Sequence, residues 1–167
     1  MTSEPARQKN PTTIEQASDR EIVVTRTFDA PARIVFTAWT TPELFKRWWA
    51  PKSLGMPLRA VEMDARTGGG YRVEFGKDAE NTFAFFGRYI EVTPHTRIVW
   101  TNEEGDDGAV TTVTLEEDSQ RTRLTLRELY PSKEALDAER GAEEGLPEQF
   151  GQLDELLAEL VADAGGA

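Results

Sequence analysis

The chain has 167 residues, a formal net charge of −11 and a hydrophobic fraction of 38%. Its length and its eight Phe, four Trp and three Tyr residues predict one soluble, globular domain with a substantial core. It contains no cysteine, which excludes disulfides, thiolate nucleophiles and cysteine-based metal sites.

The negative charge lies mainly at the C-terminal end, where ten acidic and two basic residues occur from Ser132 onward. Such a field repels phosphate backbones, so nucleic-acid binding is not expected. We interpret the acidic run as a solvated helix face, with a docking surface for a basic partner as the alternative. The sequence has no long apolar run and no signal-peptide pattern, which predicts no membrane insertion and a cytoplasmic location.

The chain divides into three predicted segments. Residues 1–19 are polar and contain Pro5 and Pro11, which predicts a disordered tail. Residues 20–162 are predicted to form a single domain, because no linker or repeat interrupts them. Residues 163–167 are predicted to be a flexible C-terminus.

The ordered part begins with the β-branched run Glu21–Phe28, which predicts a strand. Asp29 is a cap candidate and Pro31 a first-turn proline for the helix that follows. A second short helix is predicted to start at Thr41 and to end before Pro51.

Six further strands are predicted after Pro57, because the apolar pattern changes there from helical spacing to alternation. Short turns separate these strands, which predicts an antiparallel sheet. The predicted strands are residues 58–64, 71–75, 82–92, 97–102, 110–116 and 122–130.

The strand predicted at residues 82–92 has apolar side chains on both faces. Phe83 and Phe85 alternate on one face, whereas Phe86 and Ile90 alternate on the other. A β-bulge or coverage of both faces would explain the pattern.

The last segment of the chain is predicted to be a helix with one apolar face, after a shorter helix capped by Ser132. The stripe needs a partner large enough to bury it, and only the sheet qualifies. Its residues are Leu146, Phe150, Leu153, Leu157 and Leu160.

An ordered series of short motifs between Glu21 and Leu160 resembles the bacterial activator of heat-shock-protein (Hsp90) ATPase homologues. These proteins belong to the START-like, or SRPBCC, superfamily related to the birch-pollen allergen. The motifs are Asp29-Ala30-Pro31, Val35-Phe36, Ala38-Trp39, Pro42, Trp48-Trp49-Ala50-Pro51, Asp64, Gly69-Gly70-Tyr71-Arg72, Gly87, Glu91-Val92-Thr93-Pro94, Ile98 to Trp100, and Thr111 to Thr114.

The resemblance implies an α+β helix-grip fold, in which a seven-stranded curved antiparallel sheet wraps around a long C-terminal helix. Two short helices follow the first strand in that fold, and the element order read from the sequence agrees with it. The family's name also implies a link to the stress response. The family commonly has a Gly-Trp pair entering the last helix, whereas this chain has Gly145-Leu146, which affects the shape of the interior there.

A sheet bent this far can leave a cavity beside the helix, since only side-chain size fills the gap. We therefore predict an apolar cavity lined by sixteen residues, although each alone is also consistent with ordinary core packing. They are Trp39, Phe45, Trp49, Met63, Tyr71, Val73, Phe75, Phe85, Ile98, Trp100, Val113, Leu124, Leu126, Phe150, Leu153 and Leu157.

The sequence shows no recognisable catalytic constellation, and no cofactor or metal is predicted. His95 is the only histidine and lies between two predicted strands, so we expect an exposed turn. The run 68–70 consists of glycine but enters a strand rather than a helix, which favours a tight turn over a phosphate site. Glu74 and Glu128 are expected to face solvent; an inward carboxylate would make acid–base chemistry plausible.

Three classes of function remain. The first is a non-catalytic binding protein that holds a small hydrophobic or amphipathic molecule in the cavity. The second, implied by the resemblance, is an interaction protein that regulates a chaperone ATPase. The third is a cyclase- or hydrolase-like enzyme acting on a ligand in the cavity, and a protein partner or homodimer is left open.

Overall fold

A computed structural model describes residues 11–55, 57–78, 80–103, 108–138 and 142–166. Eight strands form one antiparallel sheet in the order β1-β2-β8-β7-β6-β5-β4-β3. Its strands are β1 Thr13–Gln16, β2 Glu21–Phe28, β3 Leu58–Met63, β4 Gly70–Gly76, β5 Thr82–Thr93, β6 Arg97–Thr101, β7 Val110–Asp118 and β8 Arg121–Leu129.

Four α-helices and two short 3₁₀ turns accompany the sheet within these ranges. The helices are α1 Ala32–Thr40, α2 Pro42–Trp48, α3 Lys133–Ala138 and α4 Leu146–Gly166, and the 3₁₀ turns are Lys52–Leu54 and Ala142–Gly145. No helix in the described ranges combines the length and apolar character needed to cross a membrane.

The mixed α+β architecture agrees with the predicted helix-grip fold, but the sheet has eight strands rather than seven. The additional strand, β1, pairs with β2 along Thr13–Gln16, inside the segment predicted to be a disordered tail. Every residue of β1 is exposed, so its side chains lack the alternation of buried and exposed residues by which the other strands were predicted. Residues 1–10 of the predicted tail lie outside the described residues.

The predicted cap of α1 is also corrected. The carboxylate of Asp29 accepts a hydrogen bond from Arg121 Nε instead of capping the helix. Glu117, on β7, fills that role, because its carboxylate accepts from the Ala32 N–H at 2.8 Å. The predicted cap of α3 is confirmed, since Ser132 Oγ accepts from the Ala135 N–H at 3.0 Å.

A β-bulge interrupts β5 after Tyr89, but it does not account for the apolar residues on both faces, because Phe85 and Phe86 both precede it and point to opposite faces. Tyr89 is paired with Trp100 and Glu91 with Val99, so β5 contains one extra residue at this point. Phe83, Phe85 and Tyr89 precede the bulge and lie, by their register, on the same face as the inward residues of β6, and Val92 regains that face beyond it.

Helix α4 packs on the concave face of the sheet, which we call the inner face. The ring of Phe28 on β2 contacts Phe150 of α4 edge to face, with ring centroids 5.4 Å apart. Four residues of the predicted stripe are buried, Leu156 is buried beside them, and Leu160 is half-buried. The 3.6-residue period thus predicted which side of α4 is covered.

Candidate functional site

The inner face of the sheet has two halves that differ in coverage. The sealed half consists of the inward residues of β2, β8 and β7, and the open half consists of those of β3, β4 and β5. Strand β6 lies between them. Both halves are rich in inward apolar residues, and they differ in what packs on those residues.

In the sealed half, inward residues that face one another across neighbouring strands lose essentially all contact with solvent. Val24, Leu126 and Val113 are directly opposite one another in register and are fully buried. Helices α1 and α4 cover this surface, as the Phe28–Phe150 contact shows. This half is ordinary close-packed core.

In the open half, two large aromatic side chains keep much of their surface in solvent. Phe83 and Phe85 are 44% and 38% exposed, although they lie directly opposite Phe75 and Val73, which are each 4% exposed. Phe83 stacks on Phe75 with ring centroids 5.3 Å apart and planes within 5° of parallel. An exposed aromatic surface on the concave side of a sheet is a candidate contact surface for a ligand.

An aromatic cluster lies where α1 and α2 meet β6 and α4. Trp39 is at its centre, within 4.8 to 6.5 Å, between ring centroids, of the five surrounding rings. The surrounding rings belong to Phe45, Trp48, Trp49, Trp100 and Phe150. Trp49 and Trp100 are only half-buried, so the cluster reaches the open side through these two rings.

Two indole N–H groups of this cluster differ in their partners. Trp48 Nε1 donates to the Ala38 carbonyl at 3.0 Å. Trp39 Nε1 is buried and has no hydrogen-bond acceptor among the residues that the structure describes. A buried donor without an acceptor is uncommon and costs free energy, so it marks a place where an acceptor is wanted.

The segment that follows α2 is tied to α4 by side-chain amides. Gln152 Nε2 donates to the carbonyls of Trp48 and Ala50, both at 2.9 Å, and its Oε1 accepts from the Lys52 N–H at 2.9 Å. Gln149 donates to the Trp49 carbonyl. These bonds fix the backbone that carries Trp49 beside the open half.

An ion pair between a buried arginine and a half-buried aspartate lies in the sealed half, and the sequence analysis did not predict it. Arg26 is 7% exposed, pairs through Nη2 with Asp154 of α4, and lies over the Phe28 ring. Burial raises the pKa of the Asp154 carboxyl, and Arg26 opposes that shift only in part. Arg26 has the same parity as Ile22, Val24 and Phe28, so strand alternation by itself predicts that Arg26 points inward.

Two tyrosines line the floor of the open half. Tyr71 donates its hydroxyl to the Thr101 carbonyl at 2.6 Å, and its ring lies 5.7 Å from that of Tyr89. Burial, with a smaller contribution from the Asp64 carboxylate, raises the pKa of Tyr89 far above its ordinary value. Tyr89 therefore stays protonated at neutral pH and supplies no base.

The structure distributes the sixteen predicted lining residues over both halves. Eleven are buried: Trp39, Phe45, Val73, Phe75, Ile98, Val113, Leu124, Leu126, Phe150, Leu153 and Leu157. Trp49, Met63, Tyr71 and Trp100 are half-buried, and Phe85 is exposed. Those five have exposed surface that could contact a ligand. Phe83 and Val61 have such surface too, and the prediction omitted them. Strand parity places Phe83 on the same face as Phe85, and Val61 on the same face as Val73.

The glycine run forms a turn and not a phosphate site. The Gly68 and Gly69 N–H groups donate to the carbonyls of Tyr89 and Arg66, so neither is available to an anion. A Cβ at Gly69 would lie 1.9 Å from the Asp64 carbonyl oxygen, which explains the glycine there.

The remaining candidate residues differ in the direction that they face. His95 is exposed at the turn between β5 and β6, as expected, with its ring against Phe36. Glu74 lies on the outer face and pairs with Arg72 at 2.9 Å. Glu128 was expected to face solvent, but its register opposite Ile22 and Thr111 places it on the inner face, half-buried.

An antiparallel sheet that curls around a C-terminal helix, with two small helices after an early strand, defines the helix-grip class. The model of the family described as "Activator of Hsp90 ATPase homolog 1-like protein" matches residues 29–158. This match spans most of the chain, so the protein belongs to that family. Comparison with the curated proteins found no match.

Solved structures share the fold over nearly their whole length. A crystal structure from Chromobacterium violaceum is 31% identical, with a TM-score of 0.70 and coverage of 82% of this chain and 96% of that one. One from Nitrosomonas europaea is 27% identical, with a TM-score of 0.75 and coverage of 87% and 98%. One from Rhodobacter sphaeroides is 24% identical, with a TM-score of 0.80 and coverage of 89% and 99%, and supports the fold alone. The family and the fold together suggest a ligand-binding or regulatory protein.

Proposed function

We propose that this protein binds a small hydrophobic or amphipathic molecule on the open half of its inner face, without acting on it chemically. The observation that carries the proposal is that Phe83 and Phe85 are exposed on the concave side. Phe75 and Val73, which lie directly opposite them on β4, are buried. Covering an apolar surface of this kind is favourable by about 25 cal/mol per Å².

The neighbouring residues Phe85 and Phe86 provide a matched test. They are 38% and 42% exposed but point to opposite faces of β5. We expect N-phenyl-1-naphthylamine, a neutral fluorescent probe, to bind the wild type saturably. Phe85→Ser should weaken binding by roughly tenfold, because the lost ring contact is worth about 1 to 2 kcal/mol. Phe86→Ser should leave the affinity unchanged.

Two results would count against the proposal. One is the absence of saturable probe binding to the wild type. The other is an equal loss of affinity in both variants while urea unfolding shows that both remain folded. Organic extraction of the purified protein, followed by mass spectrometry, provides an independent search for a natural occupant.

The description of the family supports a second candidate, a regulatory interaction with a chaperone ATPase. The direct measurement is the ATPase rate of purified Hsp90 with increasing amounts of this protein. We expect no stimulation. A saturable increase that Phe85→Ser leaves intact would move the interaction ahead of ligand binding.

A further inference from the structure

The inward positions of strands β3 to β6 carry no ionic side chain anywhere in the described structure. The charged residues of these strands, such as Arg72, Glu74 and Arg88, point to the outer face. A charged guest on the inner face would lose its hydration without gaining a partner, which is costly. The chain's net charge of −11 also disfavours anions.

The walls of the open half are mainly aromatic. Phe83 and Phe85 form a right-angled corner, with planes at 86° and ring centroids 5.6 Å apart. In the aromatic cluster that borders this half at Trp100, Trp49 stacks on Phe45 at 4.9 Å and keeps part of its surface in solvent. Flat rings gain offset-stacked and edge-to-face contacts against such walls that an alkyl chain cannot make.

Trp39 supplies an unsatisfied polar group in the aromatic cluster, which borders the open half where Trp100 pairs with Tyr89. It is 3% exposed, and its Nε1 lacks an acceptor among the described residues. The ring centroids of Trp49 and Trp100 lie 5.9 and 5.8 Å from that of Trp39. Both of these neighbours are half-buried, so the Trp39 indole is one ring away from surface that solvent reaches.

We propose that the molecule held by the open half is uncharged, planar and aromatic, and carries an oxygen acceptor that binds the indole N–H of Trp39. A carbonyl oxygen fits this role, since it is a strong neutral acceptor. The inference rests on the proposed binding function and specifies its ligand class. The competing explanation is an N–H···π contact with the edge-to-face rings of Trp48 or Trp49, which is a weaker interaction.

Three naphthalenes of nearly the same shape separate acceptor, shape and charge. They are 2-acetylnaphthalene, which has a ketone, 2-isopropenylnaphthalene, which replaces the oxygen with carbon, and 2-naphthoate, which is anionic. We expect the ketone to bind about tenfold more tightly than the alkene, the upper end of what one hydrogen bond contributes. The carboxylate should bind more weakly than both. Isothermal titration calorimetry gives the three dissociation constants.

Trp39→Phe and Trp48→Phe form the matched pair of variants. Trp39→Phe keeps an aromatic ring but removes the unpaired N–H, so the ketone should lose its advantage over the alkene. Trp48→Phe removes an N–H that is already bonded to Ala38, so the ratio of the two affinities should stay at its wild-type value. The ratio is the readout because a general loss of packing would weaken both ligands together.

The wild-type protein supplies a test that does not depend on a variant folding. The chain has four tryptophans, so a ¹H–¹⁵N spectrum has four indole N–H signals. Saturation with the ketone should move the Trp39 signal downfield, as expected for a new N–H···O bond, whereas the alkene should not.

The outcomes distinguish this inference from the function on which it rests. Equal affinity for the ketone and the alkene would overturn the proposed hydrogen-bond acceptor. Tightest binding of the naphthoate would overturn the proposed absence of charge. In either case the proposed binding function would stand. Failure of 2-acetylnaphthalene to bind, with N-phenyl-1-naphthylamine still bound, would also overturn the inference alone. Failure of every probe would remove the proposed function as well.

Discussion

The sealed and open halves of the inner face begin from the same kind of sequence and end in different states. Phe28 on β2 and Phe85 on β5 are both inward phenylalanines in alternating strands. Helix α4 covers Phe28 completely, whereas Phe85 remains 38% exposed. The difference shows that alternation selects a face of the sheet but does not decide what packs on it.

The two halves also use polar groups differently. The sealed half contains an ion pair between Arg26 and Asp154, in which the Arg26 Nε has no acceptor among the described residues. The open half contains no inward charge in the strands described, but it borders an unpaired indole N–H at Trp39. Each region therefore has one buried N–H without a described acceptor, but only that of Trp39 lies against half-buried rings that reach solvent.

The largest expected effect compares one truncation in each half. Phe28→Ala should lower the free energy of unfolding by about 3 to 5 kcal/mol, because it leaves a cavity in a fully packed region. Phe85→Ala should cost only about 1 kcal/mol, since water already covers part of that ring. Urea unfolding with unchanged m values measures both. Equal losses would show that the two halves are packed alike.

Removing the amide that holds the Trp49 segment should have an intermediate effect. Gln152 makes three hydrogen bonds to the backbone of that segment. Gln152→Ala should therefore cost about 2 kcal/mol and speed hydrogen exchange at the Lys52 amide. Glu155→Ala, on the exposed side of α4, is the control and should stay within about 0.5 kcal/mol of the wild type. Unchanged exchange at Lys52 would contradict the anchoring role.

Replacing the ion pair of the sealed half with apolar residues should have a small stabilising effect. In Arg26→Met/Asp154→Leu, the desolvation cost of both charges disappears and packing is retained. The double variant should be more stable by about 1 kcal/mol at neutral pH. A loss of stability in urea unfolding would show instead that the pair is a net contributor to the sealed half.

The pH dependence of that difference follows from the direction of the Asp154 shift. Burial raises its pKa above the ordinary value of 3.8, so between the two values the native state binds more protons than the unfolded state. The wild-type free energy of unfolding therefore falls as pH rises from about 4 through the raised pKa. The advantage of the double variant should grow over the same interval, and an advantage that shrinks there would contradict the assigned direction.

The sequence was sufficient for the fold because periodicity reports which face of each element is buried. It predicted seven of the eight strands and the apolar stripe of α4, and the β-bulge that it offered for β5 exists but lies beyond Phe85 and Phe86. It did not predict β1, whose side chains are all exposed, so that hydrophobic patterning carries no information about it. It also did not reveal that Glu117, distant in sequence, would cap α1.

The candidate site could be predicted only in part. Amino-acid type identified Tyr71, Trp49 and Phe85 as large apolar residues on suitable elements, but it identified Phe150 and Leu153 equally well. The distinction between core and contact surface depends on the position of α4, which contacts the sealed half through Phe150 and Asp154. The burial of Arg26 was not predicted, because a charged side chain in a strand is expected to face solvent. Its parity with Val24 and Phe28 nevertheless places it on the inner face.

By itself, the sequence determined the alternation of the strands, the 3.6-residue stripe of the last helix and the absence of cysteine chemistry. Tertiary structure decided which aromatic residues became core and which kept a free face, because burial depends on elements that meet from distant parts of the chain. It also decided that the Trp48 indole N–H found an acceptor at Ala38 and that of Trp39 found none among the described residues, since hydrogen bonding requires geometry that composition does not contain.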